Sequence, residues 1–201
     1  MKSVHLMIIL SLSVLLCACG RSKQPEFYVL NPLPAKATTM NRHAYLKIGL
    51  EAIRTPPFTE KPQLMIHDSA NRVQLEEFHQ WASSLDKNIK SVLKANLNNL
   101  LPGVVMEEAP WDIEFNPDFN LQIEITEFKI DVYGNSSLRA CYALSNQGQI
   151  IKKYDRNYHL KVPIVTVESL VTSMNTNLNA FSQDLAHSLI NQKGSRIKSS
   201  N

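Results

Sequence analysis

The Cys19 thiol lies in the sequence context with the most specific chemistry in this chain. Leu16 stands three positions before Cys19 and the small Ala18 directly before it, the pattern of a bacterial lipobox, in which the thiol is acylated before cleavage. The apolar run 6–16 that precedes the motif is too short for a membrane-spanning helix and is typical of a signal peptide. The sequence predicts a signal peptide at 1–18 and lipidation of Cys19, with an ordinary signal peptide or a signal anchor as alternatives.

The residue that follows Cys19 indicates where the lipidated protein is sorted. Gly20 occupies this position, and lipoproteins of Gram-negative bacteria without Asp there are sorted to the outer membrane. Several acyl chains hold a protein firmly, because each buried methylene adds about 0.8 kcal/mol. We expect a domain anchored on the periplasmic face of the outer membrane, with 19–26 as lipidated N-terminus and spacer.

The remaining cysteine does not suggest redox, zinc or nucleophilic chemistry. Cleavage removes Cys17 and lipidation occupies Cys19, which leaves Cys141 without an internal disulfide partner. No His adjoins Cys141 in the sequence, so we predict a packed or half-exposed thiol rather than a nucleophile.

Carboxylate and histidine pairs give equally weak signals for catalysis. Glu107-Glu108 and the Asp112/Glu114 pair fall in or beside a loop, where such groups are usually solvated. His67-Asp68 is the best metal candidate, yet it lacks a recognisable ligand spacing. Enzyme signatures such as GxSxG, HExxH and the P-loop are absent from the sequence. We predict no catalytic residue, metal or cofactor, with an envelope hydrolase as a minor alternative.

Composition predicts one globular domain. The chain has 201 residues, of which 44% are hydrophobic and 19% charged, with a net charge of +3. This charge is small, and no Lys/Arg cluster with interleaved aromatic residues occurs, which argues against a nucleic-acid partner. We expect a single domain at 27–192, followed by a flexible basic tail at 193–201.

Alternating apolar residues predict most of the strands. A phase slip near Thr126–Glu127 predicts a β-bulge inside one of them. The predicted strand segments are 27–30, 45–53, 63–67, 72–75, 104–106, 121–132, 138–144 and 150–162.

Two segments with helical periodicity complete the pattern. The first helix is predicted from Leu85 to Leu101 and the second for about 24 residues after a Thr166 cap. Their apolar stripes need a sheet to cover them. The fold class is therefore α+β, a two-layer sandwich with a mostly antiparallel sheet of five or six strands and two main helices on one face.

Two features suggest partner binding. Phe78 and Trp81 precede the first helix and either form an exposed aromatic anchor or pack beneath the helix start. The last helix has an uncharged face that includes Asn175 and Asn179, and charge is depleted at interface centres. That face is predicted to meet a partner, with a plain polar surface as the alternative.

Several runs resemble the ABC-transport auxiliary lipoproteins. The lipobox is followed by Phe27-Tyr28-Val29-Leu30, similar to the family's aromatic-Tyr-x-Leu run. Residues 58–65, Phe-Thr-Glu-Lys-Pro-Gln-Leu-Met, are similar to its Tyr-Leu-Asp-Arg-Pro-Gln-Ile-Val. Segment 81–85 resembles its Trp-Ala-x-Pro-Leu, although Ser84 replaces the usual Pro. The strand ending at Phe128 and the Ser/Asn/Ala-rich last helix also match.

The resemblance implies a non-catalytic subunit of an envelope lipid-transport system. In such systems an inner-membrane ABC transporter works with an MCE-domain protein that crosses the periplasm as a tunnel. The lipoprotein is expected to dock the far end of that tunnel at the outer membrane, with a homo-oligomeric ring as one form of the assembly. The alternatives are a lipid-binding carrier and an assembly lipoprotein of another envelope machine, such as lipopolysaccharide export.

Overall fold

A computed structural model describes residues 23–35 and 46–199 of the chain, with side chains as far as residue 192. We number its strands β1–β8 and its helices α1 and α2; a short 3-10 helix, Pro57–Glu60, lies between β2 and β3. The strands are β1 Glu26–Tyr28, β2 Lys47–Arg54, β3 Gln63–Ser69, β4 Arg72–Trp81, β5 Val105–Glu108, β6 Phe119–Asp131, β7 Asn135–Asn146 and β8 Gln149–Lys161, and the helices are α1 Leu85–Leu100 and α2 Val167–Ser199.

Strand β6 is the centre of the sheet. One edge of β6 pairs antiparallel with β7, which in turn pairs antiparallel with β8. The other edge pairs in parallel with β2 at its beginning and with β3 at its end. Strand β5 extends the β2 side in parallel, and β4 and then β1 extend the β3 side.

The sheet differs from the prediction of a mostly antiparallel sheet of five or six strands. It has eight strands and is mixed, since β1–β4, β2–β5, β2–β6 and β3–β6 are parallel pairs. Parallel pairs join segments that are distant in sequence, and no turn signal announces them. Strands β1 and β5 have 3 and 4 residues, which is too short for periodicity to reveal a partner.

The β6–β7–β8 meander and its bulge are confirmed. The β6–β7 register shifts between Ile125 and Glu127, at the predicted phase slip. The shift allows Ile123 and Ile125 before it, and Phe128 and Ile130 after it, to face the same core. Without the extra residue, one half of β6 would turn its apolar side chains toward solvent.

Helix α2 begins at the predicted cap. The Ser169 backbone N–H donates to Thr166 Oγ1 over 3.1 Å, and the Thr166 N–H donates back to Ser169 Oγ over 2.9 Å. This reciprocal pair satisfies two backbone donors at the helix start. The helix continues to Ser199, into the segment predicted as a basic tail.

Both helices cover one face of the sheet and share one core with it. Helix α2 lies across β6, β7 and β8 and contacts α1. The largest fully buried side chains are Tyr142, Phe128, Phe181, Leu46, Ile48, Leu64, Ile89, Leu93, Leu97, Leu101, Leu121 and Ile123. The two-layer α+β class with two helices is confirmed, and the opposite sheet face carries residues such as Glu124 and Arg139, which are exposed.

Candidate anchoring and docking surfaces

Residues 29–33, here called the strap, follow β1 and are hydrogen-bonded to both helices. The Leu30 N–H donates to Asn88 Oδ1 over 2.6 Å, and Asn88 Nδ2 donates to the Leu30 carbonyl over 3.1 Å. One amide of α1 thus bonds both backbone groups of an extended residue, as a neighbouring strand would. Leu30 itself is buried in the core.

The same helix holds the strap at its far end. The Leu33 N–H donates to Asn96 Oδ1 over 2.6 Å, and Asn99 Nδ2 donates to the Leu33 carbonyl over 2.9 Å. Asn96 is fully buried and its Nδ2 donates to Asn179 Oδ1 over 2.7 Å and to Ser182 Oγ over 2.9 Å. Asn96 therefore joins the strap, α1 and α2 in one polar network.

The two predicted partner-binding asparagines of α2 belong to this strap region. Asn175 Oδ1 accepts the Asn31 N–H over 2.7 Å, and Asn179 Oδ1 accepts from Asn96. Both side chains are half-buried. Both asparagines thus form hydrogen bonds within the domain. Their role in binding a partner remains a prediction.

Sequence reasoning missed the asparagines of α1. Asn88, Asn96 and Asn99 interrupt an otherwise strong helical pattern, although Asn is a poor helix former. Asn in the interior of a helix is the signal that could have indicated bonding to a neighbouring backbone. What it could not give is the identity of that backbone.

The two predicted aromatic residues lie in β4 and have different environments. Trp81 is buried in the core, in agreement with the alternative that it packs beneath the start of α1. Phe78 is exposed, and the Lys23 ammonium lies 5.4 Å from its ring centroid. Of the two, Phe78 is the residue that a binding partner can reach.

Helix α2 presents an exposed, uncharged stripe. Residues Thr172, Thr176, Gln183 and His187 recur at spacings of four and seven and are solvent-exposed. No Asp, Glu, Lys or Arg occurs from Ser169 to Gln183. The absence of charge that the sequence indicated is thus present at the surface, displaced around the helix from Asn175 and Asn179.

A groove that sequence reasoning missed lies where β8 leads into α2. Its volume is about 490 Å³ and its lining, called the helix-start groove, includes Leu160, Val162, Ile164 and Thr172. Ile164 is 73% exposed, and Val165, the next residue, is also exposed. The apolar run Ile164-Val165 next to Pro163 was the available signal, but a connecting segment does not reveal its neighbours.

Gly134 allows this region to close. Its φ is +87°, and a Cβ there would lie 3.0 Å from the Val162 carbonyl oxygen and 3.0 Å from Val165 Cγ2. A side chain would therefore be strained and also displace the valines of the groove.

A second cavity, of about 430 Å³, lies on the other sheet face under the loop 109–118. Trp111, Phe115, Asn120 and Asn146 are among its lining residues. Trp111 approaches the sheet so closely that a Cβ on Gly49 would lie 2.8 Å from the indole ring. The loop is thus fixed against the beginning of β2 and β6.

The titratable groups that the structure perturbs do not form a nucleophile–base pair. Burial, with the nearby Glu124 and Asp155 carboxylates, raises the pKa of the Cys141 thiol, so it is protonated near neutral pH. Burial and the Asp184 carboxylate raise the pKa of Tyr158, whose hydroxyl donates to Asp184 Oδ2 over 2.6 Å. The Cys141 thiol is therefore poorly nucleophilic, and the Tyr158 hydroxyl holds β8 against α2.

Cys19 lies outside the described residues, so its lipidation stays a prediction. None of the helices in the described part of the chain has the length and apolar content needed to span a bilayer. Within 23–35 and 46–199, His, Cys, Asp and Glu side chains do not gather in threes that could hold a metal ion.

Comparison with known proteins places this geometry among related chains. The family model described as "ABC-type transport auxiliary lipoprotein component" matches residues 28–186. The intermembrane transport lipoprotein PqiC of Escherichia coli K12 is 24% identical over 137 residues, which cover 68% of this chain and 71% of PqiC. PqiC of Shigella flexneri matches with the same identity and coverage.

Two solved structures share the fold. One, an uncharacterized protein, has a TM-score of 0.67 and 22% identity, and the match covers 83% of this chain and 99% of that one. The other, from Xanthomonas campestris, has a TM-score of 0.64 and 11% identity, and the match covers 87% of this chain and 98% of that one. At these identities the similarity shows the fold alone.

Proposed function

Because this chain belongs to the family of ABC-type transport auxiliary lipoprotein components, we propose that it is a lipid-anchored, non-catalytic subunit of an envelope lipid-transport system. The observation that carries the proposal is the family match over residues 28–186, which begins shortly after Cys19 and includes β2–β8 and α1. The proposed partners are an MCE-domain protein that spans the periplasm and, through it, an ABC transporter of the inner membrane.

The proposed location is the periplasmic face of the outer membrane. Support comes from the lipobox with Cys19 and from Gly20 directly after it. The strap fits this role, because it ties the segment next to the lipid to both helices through side-chain amides. A pull between the anchored end and a docked partner would thus be transmitted into the core rather than into a loose linker.

The proposed docking face is the exposed stripe of α2. Its lack of charge suits the centre of a protein interface, where charged residues are depleted. In this proposal Asn175 and Asn179 order the face by bonding the strap and α1, and Trp81 contributes only as a buried residue of the common core. If the assembly is a ring, several copies of the lipoprotein dock on one tunnel. Light scattering of the purified lipoprotein measures how many copies assemble.

The first experiment is crosslinking and affinity purification of the full-length protein from its own membranes, followed by mass spectrometry. We expect recovery of an MCE-domain protein together with an ABC transporter. Recovery of another envelope machine, such as one for lipopolysaccharide export, would contradict the lipid-transport assignment.

A charge-insertion pair tests the docking face. Thr176→Glu and Gln183→Glu place carboxylates on the exposed stripe of α2 without touching the strap network. Ser91→Glu and Asn98→Glu are the controls, because both positions are exposed on α1. We expect the α2 pair alone to reduce recovery of the MCE-domain protein. Equal recovery with both pairs would exclude this stripe as the interface.

The helix-start groove favours a second candidate function, that of a lipid-binding carrier. The groove is open and lined by apolar side chains such as Leu160, Val162 and Ile164, as a site for an acyl chain would be. Mass spectrometry of lipid copurified with the protein tests it: bound lipid that Ile164→Asp removes would support carriage. Lipid-free protein would favour docking alone.

A further inference from the structure

Four exposed apolar side chains lie near the anchored end of the domain. Phe27 is 62% exposed, Leu75 50%, Phe78 39% and Val73 38%. We call this group the tether patch. Scattered exposed apolar residues are normal, whereas several on one face of two neighbouring strands indicate an interaction surface.

The strand registers place the tether patch on one face of the sheet. Phe27 pairs with Gln80, two residues from Phe78, so Phe27 and Phe78 point to the same side. Val73 pairs with His67, and Leu75 pairs with Met65. These strand positions alternate with Ile66, whose register partner Ile130 lies in the core. The β3–β4 register shifts between Glu76 and Gln80, so Phe27 and Phe78 are placed through β1: Phe27 precedes Tyr28, whose partner Trp81 lies in the core. All four side chains of the tether patch thus lie on the sheet face opposite the helices.

The predicted lipid anchor is very close to the tether patch. Cys19 and Lys23 are separated by four peptide units, which span at most about 14 Å. The Lys23 ammonium lies 5.4 Å from the Phe78 ring. A domain of this size is about 40 Å across, so a tether of this length cannot let the domain turn its far side to the bilayer.

We propose that the tether patch rests on the membrane surface, with its aromatic and aliphatic side chains in the interfacial region of the lipid leaflet that holds the anchor. This inference rests on the proposed lipidation of Cys19. Arg21 and Lys23 can meet lipid phosphates while the apolar side chains enter the apolar boundary, and in this arrangement the exposed Glu77, between Leu75 and Phe78, stays in the hydrated headgroup region. Glu26 points to the other face, where it accepts the Tyr28 hydroxyl hydrogen bond.

The consequence is a fixed orientation. Lipid anchoring alone leaves a domain free to tilt, whereas a second contact on one sheet face defines which side meets the leaflet. With the tether patch on the bilayer, the helical layer on the opposite face points to the periplasm. The uncharged stripe of α2 is then presented to a protein that arrives from the inner membrane.

The test uses the full-length lipoprotein, purified from membranes and reconstituted into vesicles of phosphatidylethanolamine and phosphatidylglycerol. In a Cys141→Ser background, an environment-sensitive fluorophore is attached at Leu75→Cys or Val73→Cys. Ser91→Cys is the control, since Ser91 is exposed on α1, in the helical layer on the other face of the sheet. Lipids brominated on their acyl chains serve as contact quenchers.

We expect a blue-shifted emission at positions 73 and 75 that brominated lipids quench, and neither effect at position 91. Phe27→Ser combined with Phe78→Ser is expected to reduce the quenching at position 75, while flotation with the vesicles is unchanged. Equal, unquenched emission at positions 73, 75 and 91 in floating protein would overturn the proposal. If the fluorophore at position 75 were shielded from water in native membranes but not in pure lipid vesicles, the proposal would be overturned in favour of a protein partner.

Flotation separates this inference from the anchor on which it rests. If the protein does not float with the vesicles, lipidation of Cys19 has failed, and the proposed membrane anchoring and the membrane-resting patch are rejected together. If it floats and the patch reporters stay in water, the anchor stands and the patch proposal alone is rejected.

Discussion

The tether patch and the helix-start groove are both exposed and apolar, yet their surroundings differ. The tether patch lies on extended strands at the sheet edge, close to the anchor, and is connected through β1 to the strap. The helix-start groove is a concave surface fixed by the Thr166–Ser169 cap and by the close approach of Val162 and Val165 to Gly134. Apolar exposure therefore does not identify what a surface binds; the length of chain to the anchor and the local rigidity add that information.

The largest effect is expected when the proposed lipid anchor near the tether patch is removed. Cys19→Ser deletes the thiol proposed to receive lipid, so we expect complete loss of metabolic labelling with palmitate and of processing at residue 19. Cys17→Ser is the control, because Cys17 lies within the predicted signal peptide, so labelling of this variant should be unchanged. Labelling that persists in Cys19→Ser would show that another residue carries the lipid.

The strap links β1, which carries Phe27 of the tether patch, to the helices. The most buried contact of the strap is Asn96. Asn96→Ala leaves the Leu33 N–H and the polar atoms of Asn179 and Ser182 without their partner. We expect a loss of about 2–4 kcal/mol in the free energy of unfolding, since each orphaned buried group costs about 1–3 kcal/mol. Urea denaturation followed by circular dichroism measures it.

Asn98→Ala is the matched control for Asn96→Ala. Asn98 is exposed two residues further along α1, so its replacement is expected to change stability by less than about 0.5 kcal/mol. Ala is a better helix former than Asn, so propensity favours both variants, and similar stabilities for the two would mean that the strap network contributes little at Asn96.

Asn96 also marks the limit of what the sequence could predict. Apolar periodicity identified β6 with its bulge and the start of α2, because local patterns of burial and capping are written in neighbouring residues. Parallel pairing of β2 with β6 depends on segments that are about 70 residues apart, and no local signal encodes it. A buried Asn and a solvated Asn are the same residue type, so the sequence did not reveal the strap network, and Asn175 and Asn179 were predicted only to face a partner.

The candidate sites divide in the same way. Phe78 was recognised as an aromatic residue able to bind, since residue type carries that information. Its membrane-facing role depends on the β1–β4 register and on Lys23, which only the fold provides. The uncharged face of the last helix was recognised, but its exposed part is centred on Thr176 and Gln183 instead of Asn175 and Asn179.

Gly134 tests the rigidity that distinguishes the helix-start groove. Gly134→Ala forces a side chain into the φ of +87° and against Val162 and Val165. Gly148→Ala is the control, because Gly148 has a φ of +78° with nothing within 4 Å of the added Cβ. Both variants carry the backbone penalty of about 1–2 kcal/mol.

We expect Gly134→Ala to be the more destabilising variant by roughly another 1 kcal/mol, the usual scale of overpacking. Thermal unfolding of the two variants measures the difference, which reports the packing at the groove. Equal losses would indicate that the groove adjusts to the extra methyl group and is not rigid.

The smallest expected effects are on pH dependence, and they have opposite signs in the two regions. Near the groove, burial of Asp131 is outweighed by hydrogen bonds from Asn135 and Tyr133, which lower the pKa of its carboxyl. Near the strap, burial and the hydrogen bond to Glu26 raise the pKa of Tyr28 to about 12. The contribution of Asp131 is therefore present above its unfolded pKa and lost as the pH falls through the folded value. The contribution of Tyr28 is present below pH 10.0 and lost as the pH rises toward about 12.

Urea unfolding across a range of pH measures these contributions. Asp131→Asn should flatten the fall in stability on the acid side and Tyr28→Phe the fall on the alkaline side, each by less than about 1 kcal/mol because both groups are largely solvent-screened. If either variant altered the opposite limb, the two regions would be energetically coupled, and the groove and the tether patch would have to be treated as one surface.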